Sequence, residues 1–183
     1  MSTIGRKCLI FPAVAILALV SAGSVSRAYP EEGYQPAGAW AWTITPLTGG
    51  SSTPALVTLH HNGTVSVSAA SMFNTGTRDN YGKLSPGHGV WERTGAMSFG
   101  GTTVYMHFDD AGILNGFMRA RTALYFTTDP DHIAGTMYME NASCADNPSL
   151  CGDPLSPDLV WTRGRYVDVS GTRILRLEVP VPE

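Results

Sequence analysis

From Gly38 onward the chain alternates between apolar and polar positions. Trp40, Trp42 and Ile44 are separated by Ala41 and Thr43, a period of two that predicts a half-buried strand. Leu56, Val57 and Leu59 mark a second strand over Ala55–His60. His61-Asn62-Gly63-Thr64 follows, and Asn-Gly between two strand-like runs predicts a type I′ hairpin, whose two central residues both need positive φ. Val65, Val67 and Ala69 then alternate with Ser66, Ser68 and Ala70. Residues 73–88 read as a long polar loop, closing in the tight turn Pro86-Gly87-His88-Gly89.

Further strands are expected over Gly89–Arg93 and Met97–Phe108, the latter with Val104, Met106 and Phe108 opposite Thr103, Tyr105 and His107. Leu114–Thr127 places Arg119 and Arg121 on one face and Ala120, Thr122, Leu124 and Phe126 on the other. Ile133–Glu140 carries Ile133, Met137 and Met139 on one face. Leu159–Val169 is the last full strand, broken by Ser170-Gly171, with a short extra strand over Ile174–Val179.

No helical stripe and no internal repeat interrupts this series. The expected fold class is therefore all-β. An antiparallel up-and-down meander of about eight strands closes into a barrel and so removes its edges. A β-sandwich is the alternative. An eight-stranded barrel just holds its own side chains or one small ligand. The expected organisation is a signal peptide over 1–28, a flexible N-terminal arm over 29–37, the barrel over 38–179 and a tail over 180–183.

The first segment earns its assignment from charge and size. Arg6 and Lys7 precede the apolar run Cys8–Val20, and Ser26-Arg27-Ala28 supplies small residues for cleavage. The run is short for a bilayer-spanning helix, so no stable membrane insertion is expected after cleavage. The mature chain would be secreted or periplasmic. Three of the 12 Lys and Arg residues leave with the signal and none of the 15 acidic ones does, which takes the net charge from −3 to −6. That balance argues against a nucleic-acid partner. Cys144 and Cys151 remain, and in an oxidising compartment a pair at this spacing forms a disulfide.

Two sets of residues carry a resemblance. Gly38-Ala39-Trp40 on the first strand, with a late Arg, resembles the calycin pattern of lipocalins. That resemblance implies that Trp40 closes one barrel end beneath an Arg, for which Arg173 is the first candidate and Arg163 the second. The series Gly38–Trp40, Asn62–Thr64, Pro86–Trp91 and Gly171–Ile174 is similar to a family of exported bacterial proteins of unknown function. It implies a calycin- or lipocalin-like barrel and no particular activity.

Candidate chemistry is sparse. His88, flanked by Gly87 and Gly89, is the best candidate catalytic residue, as a general base or a ligand contact at the barrel mouth; the alternative is a structural role in the turn. Trp42, Trp91, Tyr105, Phe108, Arg121 and Tyr138 are the candidate ligand-binding residues. No metal site and no cofactor is expected, because His60 and His61 face opposite ways and no ligand cluster follows. No serine-nucleophile motif occurs in the mature chain. Three functions follow. The first is an exported barrel binding a small apolar or amphipathic molecule. The second is a barrel isomerase or cyclase using His88 with Tyr105 or Arg121. The third is a structural or interaction domain.

Overall fold

The computed structural model describes residues 34–70 and 83–175. The expected signal peptide, the outer part of the arm, most of the long polar loop and the tail lie outside the described residues.

Nine strands are described: β1 (Gly38–Pro46), β2 (Thr53–Leu59), β3 (Thr64–Ala69), β4 (Lys83–Leu84), β5 (Gly87–Arg93), β6 (Ser98–Phe108), β7 (Leu114–Phe126), β8 (His132–Ser143) and β9 (Arg165–Arg173). Every pairing is antiparallel. The ring runs β1–β2–β3–β5–β6–β7–β8–β9 and back to β1. The two-residue β4 pairs with β6 beyond β5, so β4 and β5 form one interrupted stave. The fold is an all-β, closed, eight-stranded antiparallel barrel of the calycin/lipocalin-like kind. Closure pairs every strand of the described ring on both sides, which removes its edges.

The alternation sets what faces in. Trp40 and Trp42 of β1, Val57 and Leu59 of β2, Val65 and Val67 of β3, Phe99 and Tyr105 of β6, Leu124 and Phe126 of β7, Ile133 and Met137 of β8, and Val167 and Val169 of β9 make one buried core. A second cluster sits outside the ring. Phe117 and Ala142, on the outward faces of β7 and β8, are covered by Cys144 and Leu159 of the loop between β8 and β9. That loop contains a short 3-10 helix, Pro148–Gly152, and the Cys144–Cys151 disulfide. A cross-link closing so short a loop stabilises the fold by about 2 kcal/mol.

Four local expectations are corrected. The Asn62-Gly63 hairpin is not type I′: only Gly63 has positive φ (83°), and Gly63 N–H donates to the His60 carbonyl while His60 N–H donates to that of Thr64. This is a three-residue loop, with Asn62 Oδ1 accepting from Thr64 N–H and hydroxyl. Pro86-Gly87-His88-Gly89 is not a tight turn, because β5 already begins at Gly87. A Cβ on Gly87 would stand 2.3 Å from the Tyr105 ring, so that glycine is a packing requirement. Ser170-Gly171 does not end a strand; β9 runs through it, and the Trp42 ring lies where a side chain on residue 171 would go. Finally, Leu159–Gly164 is loop, tied to the wall by the isolated Ala142–Trp161 bridge, and β9 begins only at Arg165.

The expected flexible arm also needs revision. Its inner part, Tyr34–Ala37, is packed across one end of the barrel, with Pro36 fully buried.

Candidate functional site

One end of the barrel is sealed, and the parts of the seal come from every quarter of the chain. Trp40 Nε1 donates to the Pro36 carbonyl at 2.8 Å. The Arg173 guanidinium lies over the Trp40 ring at 4.3 Å. Arg173 also donates to the carbonyls of Ala37 (2.9 Å) and Gln35, and its Nε meets Asp131 Oδ1 at 2.9 Å. A second inward arginine, Arg93, donates to the carbonyls of Tyr34 and Ala96. Between these clamps Tyr34, Trp40 and Phe99 all pack on the Phe126 ring and Trp91 packs on Phe99, with centroids 5.3–6.3 Å apart. Trp91 Nε1 donates to the His60 carbonyl, which fixes the β2–β3 hairpin to the same plug. Beside it, Asp129 is held below the usual carboxylate range by the Asp131 backbone N–H and by His132.

Farther along the interior the polar groups lose their partners. Trp42 is two residues from Trp40 on the same face of β1 and is only 4% exposed, yet its buried Nε1 has no acceptor among the described residues. The Tyr105 hydroxyl makes no hydrogen bond among the described residues, and burial pushes its phenol pKa up. His107 lies next on the same face, and its buried Nε2 is also unpartnered. Buried polar groups are usually satisfied, by protein, water or ligand. Near these groups the wall is built of small side chains: Ala55 pairs with Trp42 on one side and Ala69 on the other.

The expected site residues therefore divide. Trp42, Trp91 and Tyr105 point inward, with Trp91 in the seal. Arg121 and Tyr138 do not share that interior: they are cross-strand neighbours on the outer face, where the guanidinium lies 5.4 Å from the Tyr138 ring. Phe108 is half-buried at the register shift ending β6 and belongs to neither core cluster. His88 is exposed on the outer wall between Ser66 and Val104. Tyr105 is on the opposite face, and the Arg119–Arg121 side of the sheet lies two strands away, roughly 9–10 Å. The acid–base pairing of His88 with Tyr105 or Arg121 is thus not assembled. Arg163 lies exposed in the β8–β9 loop before β9 begins, whereas Arg173 at the end of β9 occupies the seal.

The outer face holds a group that sequence reading missed. Glu140 Oε2 accepts from Arg119 Nε (3.1 Å) and Nη2 (2.9 Å) and from Arg121 Nη2 (2.6 Å). Arg119 stacks on the Trp161 ring at 4.1 Å. Tyr138 packs against Tyr166 with the rings tilted by 40°, and its hydroxyl accepts from Gly164 N–H. Alternation alone places Arg119 and Arg121 on one face; the missing signal was the register, which sets Glu140 opposite Arg119. Arg93 and Asp131 were missed for a similar reason, since only closure of the ring brings them to the seal.

Among the described residues no group of three or more His, Cys, Asp or Glu is placed to hold a metal ion. Compared with protein-family models, curated proteins and solved structures, the chain matches none.

Proposed function

We propose that this protein is an exported carrier barrel that binds one small amphipathic molecule inside the barrel, away from the sealed end. The supporting observation is Trp42 Nε1, a buried donor without an acceptor among the described residues, in a wall of small side chains. An unpaired buried donor costs roughly 1–3 kcal/mol, and a ligand carbonyl or hydroxyl would recover that energy. The apolar lining suits a hydrocarbon or aromatic body. Resemblance to exported calycin-like barrels supports export, as does a disulfide compatible with an oxidising compartment. The Ser-Arg-Ala signal site supports cleavage after Ala28.

The test uses prodan, a neutral naphthyl ketone whose emission reports polarity. The protein is expected to bind it with a blue shift, and Trp42→Phe, which keeps the ring but removes the donor, is expected to weaken binding about fivefold. Absence of binding, or equal affinity in the variant, counts against the reading.

A further inference from the structure

The β8–β9 loop does more than cover the barrel wall. Between it and the outward faces of β6 and β7 lies a pocket of about 350 Å³, whose lining includes Val104, Arg119, Leu155, Ser156, Leu159 and Trp161. That is the lower range of small-molecule sites, which are mostly apolar with a few placed polar groups. The loop is fixed at several points. Cys144 is disulfide-bonded to Cys151, Thr162 donates twice to the Asn141 carbonyl, and Leu159 is buried against Phe117. Leu155, on the rim, is 79% exposed and would be covered by an occupant.

Charge names the occupant. Arg119 and Arg121 share a single carboxylate oxygen of Glu140, so two guanidinium charges meet one carboxylate charge. Arg119 uses Nε and Nη2 in that contact and makes no hydrogen bond through Nη1 among the described residues. Glu140 and the Trp161 ring already hold its guanidinium in place, so binding an anion costs it little further freedom. A phosphate ion would leave the walls formed by Val104, Leu159 and Trp161 in water. A neutral hydrocarbon would leave the charge unmatched.

We propose that this pocket is a second binding site, outside the barrel, for a small amphipathic carboxylate. Its apolar body packs on Val104, Leu159 and Trp161, and its carboxylate meets Arg119 Nη1. The site is independent of the interior one and shares no residue with it.

The probes are naphthalene-1-acetate and its neutral amide, followed by the indole N–H signals of the four tryptophans. The acetate is expected to shift the Trp161 signal more than that of Trp42. Arg119→Met is expected to weaken the acetate about tenfold and leave the amide unchanged, because charge-assisted hydrogen bonds carry most of the difference. Ser156→Trp, which fills the pocket from the loop, is expected to abolish the Trp161 response to both probes without lowering the melting temperature. An unmoved Trp161 signal, acetate affinity retained in Arg119→Met, or equal weakening of acid and amide would each overturn the assignment.

Discussion

Trp40 and Trp42 are the same residue type, on the same strand and the same face, and their surroundings have opposite logic. Trp40 has its N–H on the Pro36 carbonyl and a guanidinium over its ring. Trp42 has Gly171 beneath its ring and no acceptor for its N–H among the described residues. The first environment is completed by the chain itself: the inner arm, the β7–β8 turn and the end of β9 converge on it. The second is left open by the described residues. The difference teaches that burial alone does not separate the two tryptophans, since both are nearly inaccessible. The destination of the indole proton does.

The largest effect expected from breaking this contrast is at Arg173. Arg173→Ala removes an ion pair, two carbonyl contacts and the stack on Trp40, and is expected to cost about 3 kcal/mol in urea unfolding. A cost below the level of an ordinary surface substitution, about 0.5 kcal/mol, contradicts the seal. A matched pair sharpens the point. Trp40→Phe strands the buried Pro36 carbonyl and is expected to cost about 2 kcal/mol. Trp42→Phe loses ring volume but no hydrogen bond, and is expected to cost about 1 kcal/mol without ligand. If the two cost the same, the difference in hydrogen bonding has no energetic weight.

The barrel was legible because its signal is local. Alternation at Trp40–Ile44, Val65–Ala69 and Leu124–Phe126 needs only period two, and turn residues between runs imply antiparallel neighbours. Trp40 and Arg173 were linked by resemblance, and the two side chains meet at the seal. Glycines were harder. Gly87 and Gly171 look like turn markers in sequence, yet each lies within a strand because an aromatic ring occupies its missing side chain's place. That is a long-range fact, since Tyr105 and Trp42 belong to other strands. Candidate site residues were chosen by type, which mixed the two faces: Tyr105 went in, while Arg121 and Tyr138 went out. Two-residue periodicity gives the face only once one residue's burial is known, and on β6 the polar set Thr103, Tyr105 and His107 is the inward one. An inward polar set is itself a departure from simple patterning.

The most direct measurement follows the indole N–H signals of Trp40 and Trp42 by two-dimensional NMR while prodan is added. The account predicts that the Trp42 signal moves downfield as its proton gains an acceptor, while Trp40, already bonded to Pro36, stays in place. A Trp42 signal that does not move, or a Trp40 signal that moves equally, contradicts it.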